Sequence, residues 1–228
     1  MILNVIIVLI YHNVYAEDTE PYIKELNSYG ISPIISELKK DDFVSRYNAM
    51  ILTCESIGFS SKTYKKMCDI AFYSKNFSDI GSSMDSIYFD FAAMKNIANG
   101  TETIDPKGIP NFEPSRNTTY EEAVAFITRC IAPPKGINSV SEMDLSETWE
   151  YAKQERLLDE NEFYEKKQND INYGDFCKLL YRLIQKTAYI DAYNEIEINS
   201  EKTYSDVLQE VGADEIAFFK EALKELEQ

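Results

Sequence analysis

Apolar residues recur at helical rather than strand spacing in three stretches of this chain. The first holds Ala49, Met50, Leu52 and Ile57, the second Ala123, Val124, Ile127 and Ile131, and the third Phe176, Leu179, Leu180 and Leu183. Each stretch opens on a short polar start, and the three starts align without gaps: Val44-Ser45-Arg46-Tyr47-Asn48-Ala49, Thr118-Thr119-Tyr120-Glu121-Glu122-Ala123 and Ile171-Asn172-Tyr173-Gly174-Asp175-Phe176. An earlier, shorter apolar helix precedes each one, with Ile23 and Leu26, Phe89 and Ala92, and Trp149 and Ala152 on matching positions. The connecting loops carry one apolar anchor apiece, Leu38, Phe112 and Phe163. The pattern predicts an all-α chain of three helix-loop-helix units. One such unit cannot bury its own apolar face, so the units must pack on one another.

Helix ends are legible as well. Ser45 and Thr119 offer hydroxyls to a helix start, and Glu122, three beyond Thr119, completes a capping-box pattern. Gly30 ends the first helix of unit one in the left-handed conformation that glycine tolerates best. Asn96 and Arg156 fall at the matching positions of units two and three, and arginine is not favoured there. The units are uneven, because an extra segment, Lys62 to Tyr73, reads as a helix between the first two. Pro133-Pro134-Lys135-Gly136 breaks the chain between units two and three. Ile216, Phe219, Leu223 and Leu226 form a final amphipathic stripe, separated by Gly212 from a shorter helix. The resulting division is 1–16, an export signal; 17–58, unit one; 59–76, the helical insertion; 77–132, unit two; 133–143, a linker; 144–187, unit three; and 188–228, C-terminal helices.

The leader rests on an apolar run from Ile2 to Ile10 followed by Val14-Tyr15-Ala16 and then acidic residues. That run is too short for a membrane span, which needs about 20 apolar residues. Net charge is −16 over 228 residues, a field that repels nucleic-acid phosphates and anionic headgroups. Nucleic acid is therefore discounted as a partner. The only histidine, His12, lies in the leader, so triad and HExxH chemistry lack their base or ligands. No glycine-rich phosphate loop occurs. Among 39 acidic residues no pair stands out as catalytic. The expectation is a protein that is not an enzyme and holds no metal or cofactor. Cys54, Cys68, Cys130 and Cys177 form no CxxC pair and read as buried free thiols, although export would permit a disulfide.

Phe77-Ser78-Asp79-Ile80, Phe112-Glu113-Pro114 and Thr118-Thr119-Tyr120-Glu121-Glu122-Ala123 together resemble the signature of S-layer homology modules. The resemblance covers roughly Glu17 to Lys186. It implies a pseudo-threefold helical spindle with sugar-binding grooves between units, anchoring an exported protein to a cell-wall polysaccharide at the bacterial surface. In that family an arginine opening the second helix contacts an acidic, often pyruvylated, sugar. A helix N-terminus and a forked guanidinium suit such an anion. Only Arg46 keeps the arginine; Tyr120 and Tyr173 occupy the equivalent positions. The implied ligand set is Arg46, Tyr120 and Tyr173 with Ser45, Thr119 and Arg116. Arg116 is the residue that could compensate in unit two, and a surface ion pair to Asp42 is the competing role for Arg46. Tyrosine cannot neutralise a carboxylate, so the second expectation is a module that kept the fold, lost the glycan, and engages a protein through its C-terminal helix around Phe218 and Phe219.

Overall fold

The computed structural model describes residues 18–33, 37–60, 63, 77–81, 86–159, 167–190 and 201–216. The leader, most of the 62–73 insertion, Cys68, Phe163 and the residues beyond Ile216 lie outside them. The described residues are mostly helical and contain no strand longer than an isolated bridge. The helices are α1 (Glu20–Ser28), α2 (Arg46–Ser56), α3 (Ser86–Met94), α4 (Tyr120–Thr128), α5 (Leu145–Gln154), α6 (Tyr173–Ile184) and α7 (Tyr204–Val211), with a 3₁₀ turn at Val140–Glu142. The described residues are all-α in class, as the periodicity predicts.

The helix starts at α2, α4 and α6 are built alike. Ser45, Thr119 and Asn172 take extended backbone, and each side chain accepts a hydrogen bond from the N–H three residues on. At α4 the Glu122 carboxylate returns the bond to the Thr119 N–H, which completes the capping box. The ends of the first helices also agree. Gly30, Asn96 and Arg156 all have positive φ, at 81°, 57° and 57°. Arg156 thus holds a conformation that costs an ordinary L-residue about 1–2 kcal/mol.

The three helix starts meet in a ring of backbone hydrogen bonds that closes on itself. The Val44 N–H donates to the Ile171 carbonyl at 3.0 Å, the Ile171 N–H to that of Thr118 at 2.9 Å, and the Thr118 N–H to that of Val44 at 2.8 Å. The first helical amides repeat the cycle: Arg46 donates to Arg116, Tyr120 to Asn169 and Tyr173 to Asp42, at 2.8, 3.0 and 2.8 Å. The next amides do the same, from Tyr47 to Pro114, Glu121 to Lys167 and Gly174 to Lys40. Each unit therefore spends the orphan N–H groups of its helix start on a carbonyl of its neighbour, which satisfies donors that a helix cannot pair internally. Val44, Thr118 and Ile171 are completely buried at the centre.

Helix packing crosses the same boundaries. α3 of unit two packs on α2 of unit one, α5 of unit three on α4 of unit two, and α1 of unit one on α6 of unit three. The last pair includes the Tyr22 and Tyr181 rings, 5.1 Å apart. One continuous core results, in which Leu26, Ile31, Phe89, Ile97, Phe112, Trp149, Leu157 and Phe176 are all buried. The tryptophan falls on the core stripe that its alignment predicts. Arg129 and Arg182, both nine residues into their helix repeats, tie second helix to first by donating to the Ile97 and Leu157 carbonyls at 3.1 and 3.0 Å.

A fourth helix start, Thr203-Tyr204-Ser205-Asp206, repeats the capping box and docks by the same bonds. The Tyr204 N–H donates to the Lys186 carbonyl and the Ala188 N–H to that of Lys202, the spacing that joins units two and three. The Tyr204 hydroxyl accepts from the Tyr189 and Ile190 amides and donates to the Cys130 carbonyl at 2.6 Å. Gly30 is packed against the Ala213 backbone. The C-terminal arm thus touches all three units.

Candidate functional site

Arg46 begins α2, and its side chain runs inward rather than out to solvent. Only 3% of it is exposed. Nε donates to the Phe112 carbonyl at 2.7 Å, and Nη1 lies 2.6 Å from Glu122 Oε1 across the boundary with unit two. The guanidinium carbon sits 4.7 Å from the centre of the Phe112 ring and 5.3 Å from that of Phe126, within the range of a cation–π contact. Its ion-pair partner is therefore Glu122 on another helix, and the pair is buried. Asp42, the surface partner expected from helical spacing, instead accepts the Lys39 amide.

Arg116 lies outside this pair and completes it. Its Nη2 and Nη1 grip both Glu122 oxygens, at 2.6 and 3.0 Å, and its Nε reaches Glu113 at 2.8 Å. Thr101 and Thr103 donate to the far oxygen of Glu113. Charges alternate from inside to outside: Arg46, Glu122, Arg116, Glu113. Burial lowers the Arg46 guanidinium from its ordinary value, and the Glu122 charge works against that. Burial raises the Glu122 carboxyl, but the hydrogen bond from Arg116 and the charge of Arg46 hold it below the ordinary carboxylate range. Glu113 is also held low, chiefly by its bond to Arg116. Arg116 is raised, first by its bond to Glu122.

The two tyrosines occupy positions equivalent to Arg46, and they too are buried, at 2% and 3% exposed. The Tyr120 hydroxyl donates to the Asp175 carboxylate in unit three, the same step from one helix start to the third residue of the next. Asn172 also donates to that carboxylate, at 3.1 Å. Tyr173 would reach Asn48 by the same step. Burial raises the Tyr173 hydroxyl and, one turn further along the same helix, the Cys177 thiol, the latter to about 12. Asn48 Oδ1 is buried without a hydrogen-bond partner.

The six residues singled out from sequence are thus gathered at the ring. Ser45 and Thr119 cap helices, Arg46, Tyr120 and Tyr173 face inward, and Arg116 alone is substantially open, with 40% of its side chain exposed. Sequence reasoning placed Glu122 in a capping box but missed it as the anion facing Arg46; it missed Asp175 and Glu113 altogether. The signal available for the first two was an acid at the third helical position in units two and three. Comparison with protein-family models, with curated proteins and with solved structures returns no match. Among the described residues no group of three His, Cys, Asp or Glu is placed to hold a metal, and no helix is long and apolar enough to cross a membrane. Cys54, Cys130 and Cys177 are buried free thiols, and burial pushes each thiol up.

Proposed function

We propose that this chain is a non-catalytic module of the S-layer homology kind, three units in a pseudo-threefold spindle, that serves as a structural scaffold and has lost the glycan. The cyclic pairing of the three helix starts supports the spindle. The observation that carries the loss of the glycan is the burial of Arg46, whose Nε and Nη1 are turned to Phe112 and Glu122. An acidic sugar would have to displace Glu122 and approach past Glu113, against a net charge of −16. Desolvated and paired across the junction, Arg46 leaves a buried charge behind if either partner is removed, and it faces Glu122 rather than solvent. Export and a place at the cell surface go with this reading through the leader.

The experiment is a sedimentation assay of the full chain with Gram-positive cell-wall sacculi, native or stripped of secondary polysaccharide with hydrofluoric acid. Equal, low retention on both is expected. Saturable retention on native sacculi alone, lost in Arg116→Ala, would overturn the scaffold reading and restore glycan anchoring.

A further inference from the structure

Asn99-Gly100 is the only asparagine–glycine step in the chain, and it leads from α3 into the loop that carries Phe112. Asn99 is exposed. Among the described residues its side chain has no hydrogen-bond partner, and neither has the Gly100 N–H. Other asparagines are held or crowded. The Ile97 amide that follows Asn96 is engaged by the Ala92 carbonyl at 2.8 Å. Asn117 donates to Asp170, and Asn111 accepts from Ser78. Asn138 and Asn169 are exposed, but Ser139 and Asp170 follow them. A side chain on the following residue crowds the nitrogen between the two, and glycine has none.

We infer that Asn99 is a site of spontaneous covalent modification, deamidating through its own backbone with water as the only co-reactant. The deprotonated Gly100 nitrogen attacks Asn99 Cγ, the Cγ–Nδ2 bond breaks, and ammonia leaves with a proton from solvent. Water then opens the five-membered imide. Opening at Cγ gives aspartate; opening at the backbone carbonyl gives isoaspartate, whose main chain is longer by one methylene. The fold keeps the susceptible step, because a Cβ at Gly100 would stand 2.7 Å from Pro110 Cβ and 3.0 Å from the Asn111 carbonyl oxygen, at a φ of 78°. The added methylene enters one residue before Thr101. That residue donates its N–H to the Asn111 carbonyl at 2.8 Å and its hydroxyl to Glu113 at 3.3 Å. Isoaspartate therefore loosens the outermost contact of the Arg46, Glu122, Arg116, Glu113 series.

The test is to age the full chain at neutral and at mildly alkaline pH, folded and in urea. Mass mapping after proteolysis under mildly acidic conditions, with isoaspartyl methyltransferase labelling, then locates and ranks conversion. In the folded chain Asn99 should convert at least fivefold faster than Asn138 and Asn169, and faster in alkali. Folding should slow it by less than tenfold relative to urea. A smaller margin over either control, or slowing by tenfold or more, would overturn the inference. Asn99→Gln, which would have to close a six-membered ring, should abolish labelling of that peptide; persistent labelling there would place the modification elsewhere and overturn the assignment. In the isoaspartate-enriched fraction the Thr101 amide should exchange hydrogen severalfold faster than in fresh protein. Unchanged exchange would overturn the loosening.

Discussion

Arg46 and Glu122 form an ion pair 2.6 Å apart that joins two units of the chain, with the arginine 97% removed from solvent. One unit further on, Tyr120 and Asp175 stand in the same relation with a phenol in place of the guanidinium. In α2 and α4 the side chain of the first helical residue is therefore an intersubunit-like tie within one chain.

Tyr120→Phe removes the hydroxyl and leaves the ring in the core. The loss should be about 1 kcal/mol, that of one net hydrogen bond, because Asp175 keeps its bond from Asn172. Urea denaturation monitored by far-UV circular dichroism checks it.

Acid should loosen the first junction. The Glu122 carboxyl is held below its unfolded value, so the folded chain binds fewer protons than the unfolded chain in the window beneath about pH 4.5. Its stabilising contribution is present above that pH and is lost as pH falls through the folded value. Stability measured from pH 6 to pH 3 should decline, and Glu122→Gln should decline less steeply from a lower starting point.

Arg156→Gly should stabilise. The left-handed backbone at Arg156 (φ 57°) is strained for arginine and free for glycine; the side chain is exposed, so little packing is lost. A gain of about 1 kcal/mol, the usual size of the left-handed penalty, would appear as a Tm rise of a few degrees in a calorimetric scan.

Gly174→Ala should destabilise by about 1–3 kcal/mol, the range for overpacking. An added Cβ at the second residue of α6 would collide with Thr19 Oγ1, stand 3.0 Å from Thr19 Cβ and lie 3.2 Å from the Lys40 carbonyl. Thr19→Ala in the same chain should recover part of the loss, read from paired chemical-denaturation curves.

Helices and caps were legible because they depend on local chemistry. Ser45 and Thr119 cap where their hydroxyls predicted, and Gly30, Asn96 and Arg156 share one conformation because their position in the unit demands it. The candidate site was legible in location and not in direction. A motif marks Arg46 as the start of a helix, but whether its guanidinium faces solvent or a neighbouring unit depends on Glu122 and Phe112, 66 or more residues away. The likeness of the Thr203 helix start to the other three was hidden for a similar reason. Its cap is plain in sequence, and its kinship with the others emerges only from the pairing of Tyr204 with Lys186.

The central claim is that Arg46 works between units. A double-mutant cycle of Arg46→Met and Glu122→Gln, with each stability taken from urea unfolding, measures that tie directly. A coupling of about 2 kcal/mol is predicted, in line with a buried pair that costs about 3–5 kcal/mol to break from one side and is eased here by Arg116. Coupling below about 0.5 kcal/mol, the level of independent sites, would contradict the account.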